Sequence, residues 1–183
     1  MQLNSSVSLP ILSFRKARID ETDFIVKLVN SAYRGESSKA GWTTEADLLD
    51  GQRTDPQEIA HLIQDENSVI LLCIQGDEII GSVNLQRKGE EAYLGMFVMR
   101  PTLQGGGIGK QFIQASEDFV RQDWESKKMT MSVITLREEL IAFYERRGYQ
   151  RTGEHQPFPK NVGNGIPKVE NLEFEILEKE LET

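Results

Sequence analysis

With 183 residues and a mass of 20.8 kDa, the chain is long enough to bury one sizeable core. No Pro/Ser-rich linker divides it, so one domain over residues 1–183 is expected, with residues 1–10 as a loosely ordered lead. Its 29 acidic against 21 basic residues give a net charge of −8, which excludes the clustered Lys and Arg of an electrostatic nucleic-acid surface; one cysteine and two distant histidines exclude a disulfide framework or a metal set.

Residues 11–17 read as a first strand. Asp20 is then placed to cap a helix whose Ile25, Leu28, Val29, Ala32 and Tyr33 form one apolar stripe, closed by Gly35. After the polar residues 36–41, Thr43 or Thr44 is placed to cap a short helix through Leu49, and Pro56 opens another that reaches Gln64. Residues 68–75, 78–87 and 92–99 are three runs separated by tight turns, Gln75-Gly76-Asp77 being one, and predict three antiparallel strands. The first carries Cys73 inside an apolar stretch, where it reads as a small core residue and not as a reactive thiolate. A helix over 107–124 turns Phe112, Ser116, Phe119 and Val120 inward, and a strand at 129–135 follows it, parallel to the strand at 92–99. The next helix carries Leu136, Leu140 and Phe143 on one face and ends at Gly148, with Tyr149 opening a strand. Residues 153–168, with three prolines and three glycines, predict a long loop before a last strand in which Leu172, Phe174 and Ile176 alternate. Nowhere do about 18 apolar residues run together as a spanning helix requires, and the first ten lack the pattern of a leader; a soluble cytoplasmic protein with no membrane partner is expected.

The segment carrying most chemical information is Met96-Phe97-Val98-Met99-Arg100-Pro101-Thr102-Leu103-Gln104-Gly105-Gly106-Gly107-Ile108-Gly109-Lys110. It reads as strand, glycine turn, helix: glycines let successive N–H groups line a concavity, and the helix adds its positive N-terminal end. A phosphate-bearing ligand fits such a turn. The Walker spacing fails, because Gln104 stands where its first glycine belongs and Gln111 where its Ser or Thr belongs. The dinucleotide fingerprint fails in both registers, since Lys110 or Phe112 falls on its third glycine. The pattern Q/R-x-x-G-x-G/A is met by Gln104, Gly107 and Gly109. A second block, from Leu136 to Tyr149, ends in Phe143-Tyr144-Glu145-Arg146-Arg147-Gly148-Tyr149 and matches FYxxxGF/Y.

On these two blocks, covering about a third of the chain, the sequence resembles the GNAT N-acetyltransferase superfamily and its small bacterial-type members. The resemblance implies an α/β (α+β) fold: a mixed, mostly antiparallel sheet of about seven strands, splayed between the fourth and fifth, with about four flanking helices. It implies acetyl-coenzyme A as co-substrate, with no metal, and transfer of the acetyl group to a primary amine by direct attack in a ternary complex. By the same resemblance Met96, Phe97 and Val98 would present backbone to the pantetheine arm, and Gln104, Gly105, Gly106, Gly107, Ile108, Gly109 and Lys110 would hold the pyrophosphate. Val98 would also supply the oxyanion N–H, Gly95 would begin the splay, and Tyr144 would be the general acid that protonates the leaving thiolate.

Where many members carry Asn seven residues before that tyrosine, this chain has Arg137, open to a phosphate contact or to solvent. Glu90 and Glu91 read as solvated turn carboxylates. Tyr33, Trp42, Glu45, His155 and Phe158 are candidates for the acceptor side. The acceptor itself, a small molecule or a peptide, stays open, and dimerisation through the late strands rests on family analogy. The reading from another class is a GNAT-fold module that binds acyl-coenzyme A without chemistry, as a sensor or interaction partner.

Overall fold

The computed structural model describes residues 10–34, 38–39, 44–103, 106–159 and 165–182. The apolar run 69–74 has no alternation because both of its faces are covered, as in a strand sandwiched between helical layers. Ile70 and Leu72 pack on one side, with Ile25, Leu28, Val29, Ile59 and Leu62; Leu71 and Cys73 pack on the other, with Phe112, Ile113 and Val120.

The strands are β1 Ser13–Lys16, β2 Ser68–Gln75, β3 Glu78–Lys88, β4 Glu91–Met99, β5 Lys128–Ile134, β6 Gln150–Pro157 and β7 Glu173–Glu180. They form one seven-stranded sheet in the order β1-β2-β3-β4-β5-β7-β6. Every neighbouring pair is antiparallel except β4 and β5, which run parallel and pair only through Glu91, Ala92 and Tyr93 against Lys128, Met129 and Thr130. Beyond Tyr93 the two strands part, which is the expected splay. The helices are α1 Thr22–Tyr33, α2 Pro56–Gln64, α3 Ile108–Asp123 and α4 Glu138–Arg146. α1 and α2 cover one face of the sheet, and α3 and α4 the other. No helix among the described residues is long and apolar enough to cross a membrane.

Several local expectations change. The stripe of α1 is buried as predicted, but Asp20 does not cap it: Ile19–Glu21 form a 3-10 turn, and Glu21 reaches back to accept the Arg18 N–H at 2.8 Å. Gly35 lies outside the described residues. Residues 44–49 make one turn instead of a helix, because Leu49–Asp50 pairs with Ile166–Pro167 in a two-residue ladder that takes the backbone groups a helix would need. Phe119 is only partly buried, against Trp124, while Glu117 takes an inward place on α3. That carboxylate accepts from Lys179 Nζ at 2.9 and 3.0 Å and from the Tyr149 hydroxyl at 3.0 Å, which offsets the cost of burying it. Leu136 precedes α4 and is exposed. β6 runs on through Gly153, whose positive φ of 80° accommodates a register shift, so the long loop starts later than residue 153. In β7 Leu177 is the fully buried residue, while Phe174 packs on Phe158 at the other face.

Candidate active site

The splay opens a cavity of about 290 Å³ between β4 and β5. Its walls come from Tyr93 to Phe97 of β4, Met131 to Ile134 of β5, Leu140 and Tyr144 of α4 with Arg137 before it, the end of α1, and the segments 45–53 and 156–159. The geometry of β4 decides which backbone groups face it. The Arg100 N–H donates to Ile80 O at 2.8 Å and Val98 stands opposite Ser82. By the alternation of an antiparallel ladder, the groups of Val98 are therefore turned to β3 and those of Phe97 to the open side. The Tyr33 hydroxyl donates to Phe97 O there at 3.0 Å. Between these residues and Gly95 the strand bulges: Met96 and Phe97 together oppose Val83, and Met96 takes a positive φ of 46°. The irregularity anticipated at Gly95 thus falls on the residue after it. Met96 and Phe97 line the cavity, and Val98 does not.

Tyr144 enters from α4. Its ring is held edge-on between Phe143, Tyr149 and Phe97, at 5.4, 5.8 and 6.5 Å between centroids. It is 4% exposed, lines the cavity, and its hydroxyl has no hydrogen-bond partner among the described residues. Burial, then the neighbouring Tyr33, pushes its phenol well above the ordinary range, against a smaller pull from Arg137. Tyr33 is pushed up to about 12, first by burial and then by Glu45.

At the head of α3, Gly107 adopts a left-handed φ of 76° that other residues rarely take, and stands as N-cap without a side-chain cap. The first turn of α3 carries no acid, whereas α1, α2 and α4 carry Asp23, Glu58 and the pair Glu138 and Glu139 there. Its N–H groups are thus left to an anion. A Cβ on Gly106 would meet nothing within 4 Å, and one on Gly109 only the Phe143 ring at 3.4 Å, so the cradle is open. Gly107, Lys110 and Gln111 line a groove with Arg146 and Arg147, and the buried Gln111 Nε2 has no partner among the described residues. An open cradle and an uncapped helix start, with Lys110, Arg146 and Arg147 in a groove that also carries Glu117, Asp118 and Asp123, fit the diphosphate of coenzyme A. Gln104 and Gly105 lie outside the described residues.

Of the acceptor-side candidates, Tyr33, Glu45 and Phe158 line the cavity, His155 pairs with Glu173 on the sheet edge, and Trp42 lies outside the described residues. Glu90 and Glu91 pair with Lys127 and Lys128 and do not line it. Arg137 is neither at the phosphate groove nor in solvent: it is buried in the cavity wall, 3.8 Å from Glu45 and over the Tyr33 ring at 5.8 Å. Arg34, Arg53, Arg146 and Arg147 were not singled out from sequence. Only the Arg-Arg run before Gly148 offered a signal, since Arg34 and Arg53 follow no spacing. Among the described residues no group of His, Cys, Asp and Glu is placed to hold a metal.

A mixed seven-stranded sheet splayed at its one parallel pair, with a glycine turn feeding the helix beside the splay, is an acyltransferase architecture. The sequence model of the acetyltransferase (GNAT) domain matches residues 40–167, more than half of the chain, which belongs to that family. Three solved structures share its fold. The ribosomal-protein-S18-alanine N-acetyltransferase from Escherichia coli aligns over 94% of this chain and 96% of its own, with a TM-score of 0.69 and 12% identity. The spermidine N-acetyltransferase from Vibrio cholerae, solved with CoA and spermine, aligns over 93% and 95%, at 0.69 and 16%. An N-acetyltransferase from Staphylococcus aureus Mu50 aligns over 93% and 98%, at 0.70 and 13%. No curated protein matches the sequence.

Proposed function

We propose that this chain, as one domain, transfers the acetyl group of acetyl-coenzyme A to a primary amine by direct attack in a ternary complex. The observation that carries the reading is Tyr144: a buried phenol with no hydrogen-bond partner among the described residues, facing the cavity that opens where β4 leaves β5. Acetyl-coenzyme A would supply the thioester when bound. The head of α3, with Gly106, Gly107 and Lys110, receives its phosphates, and the open edge of β4 receives the arm as an added strand would. Transfer forms an N–C bond and breaks the C–S bond; the amine loses its proton to solvent. The backbone N–H of Phe97, turned to the open side, is placed to meet the developing oxyanion, the role expected of Val98. Tyr144 gives its proton to the thiolate sulfur and is neutral until then.

Cys73 takes no part. It is fully buried, and burial pushes its thiol up to about 12, so no acyl-enzyme forms on it. The test is two-part: binding of acetyl-coenzyme A by calorimetry in native protein and Gly107→Asp, then thiol release with amines. Binding lost in Gly107→Asp, together with amine-dependent release in the native protein, supports the reading. Binding without release on any amine would favour a cofactor-binding module.

A further inference from the structure

The hydrogen bond from Tyr33 to Phe97 O falls where β4 has lost the hold of both its neighbours. Pairing with β5 ends at Tyr93, and the register with β3 skips from Gly95 to Val98, so Met96 and Phe97 belong to neither ladder. Met96 also takes its positive φ of 46° there, a conformation that persists only where surrounding contacts hold it. At Phe97 a side chain does what a strand does elsewhere: the Tyr33 hydroxyl donates to the carbonyl at 3.0 Å, inside the protein. The donor is itself fixed. Tyr33 closes α1, its carbonyl accepts the Glu45 N–H at 2.9 Å, its ring packs in the core between α1, α2 and the sheet, and the guanidinium carbons of Arg53 and Arg137 each stand 5.8 Å from that ring. Burial, then Glu45, pushes the phenol up to about 12, so the donated proton stays in place through the neutral range.

That contact lies on the cavity side of the strand. A strand residue turns its N–H and C=O to the same edge, so a bond that fixes Phe97 O also fixes the direction of the Phe97 N–H, the donor placed for the oxyanion. Tyr33 uses its single hydroxyl proton on the carbonyl and has none left for the thioester, so it acts through the strand and not on the reacting atoms. Tyr144 meets the same residue from the α4 side, its ring 6.5 Å from that of Phe97. We infer that Tyr33 is a positioning residue for acetyl transfer: its hydroxyl holds the bulged Phe97 backbone so that the Phe97 N–H meets the thioester oxygen while Tyr144 faces the sulfur. The inference rests on the N-acetyltransfer reading. An oxyanion donor is effective only when it is aimed before the reaction begins, and on a bulge outside both ladders that aim comes from the end of α1.

The experiment compares native protein with Tyr33→Phe, which keeps the ring and its packing and is checked for folding by its melting curve. In amine-dependent thiol release, kcat should fall roughly 10- to 100-fold in Tyr33→Phe, the loss expected of a donor displaced but not removed. KM for the amine and the calorimetric affinity for acetyl-coenzyme A should stay within a factor of a few. The second readout is the carbonyl stretch of acetyl-coenzyme A, isotope-labelled at its acetyl carbonyl and bound without amine, followed by infrared difference spectroscopy. Native protein should move that band to lower wavenumber than in free cofactor, and Tyr33→Phe should return it towards the free value. A hydroxyl that only supported the fold would lower the melting temperature and move neither readout. An unshifted band in native protein, an unchanged kcat in Tyr33→Phe, or a loss that lies in KM for the amine overturns the inference and leaves N-acetyltransfer standing. Bound acetyl-coenzyme A with no release by native protein on any amine overturns both.

Discussion

Tyr144→Phe removes one oxygen from a ring wedged among Phe97, Phe143 and Tyr149 and leaves the packing intact. Turnover should fall by about 10²–10⁴, the usual worth of a positioned acid. Cofactor affinity, measured by calorimetry, should stay within a factor of a few, because Tyr144 lines the cavity and not the groove at the head of α3. The pH profile follows from two directions. The acceptor must lose a proton from an ammonium whose ordinary pKa is about 10.4, so kcat/KM should rise with pH through the neutral range. Tyr144, pushed upward by burial, keeps its proton throughout, so no descending limb from it should appear there. Tyrosine 144 was legible because it sits in a spaced motif. The arginines around Glu45 were not, since three separate segments bring them together and no local pattern records it.

Elements were legible where capping and periodicity agreed. Asp55 accepts the Glu58 N–H at 2.8 Å ahead of Pro56, and α2 spans its predicted residues. Where a side chain competed, the boundary moved: Glu21, bound to Arg15 and to the Arg18 N–H, displaced Asp20 from the start of α1. That contact holds the Glu21 carboxyl at about 2, below its ordinary 4.5, the Arg15 hydrogen bond being the main cause. A carboxylate depressed on folding stabilises above its unfolded pKa, and the contribution fades as pH falls from 4.5 towards 2. Glu21→Gln should cost about 1 kcal/mol at neutral pH and flatten the stability curve over that acidic window, as followed by urea unfolding. In the turn before α3, Gly107→Ala should weaken cofactor binding while thermal stability falls by only about 1 kcal/mol, because among the described residues of that turn position 107 alone takes a positive φ.

At the scale of the molecule, the cavity exists because β4 and β5 pair over three residues and then separate, while β3 keeps its hold on β4 across a bulge. Gly81 lies under that junction. A Cβ there would come within 2.8 Å of Met99 Sδ and 3.0 Å of both Phe112 and Val98 O, so Gly81→Ala should destabilise the protein by about 1–3 kcal/mol. That is a drop of about 2–12 °C in melting temperature for a chain of this size. The strand order and the splay were legible through resemblance to a known fold. The two-residue ladder of Leu49–Asp50 with Ile166–Pro167 was not, since it joins segments far apart in sequence and needs no pattern in either. The measurement that bears most directly on the function is thiol release from acetyl-coenzyme A, at saturating cofactor, by native protein and Tyr144→Phe across an amine panel. Amine-dependent release that falls at least a hundredfold in a folded, cofactor-binding Tyr144→Phe is the predicted result. Equal release by both proteins would contradict the role of Tyr144, and cofactor binding without release on any amine would contradict acetyltransfer itself.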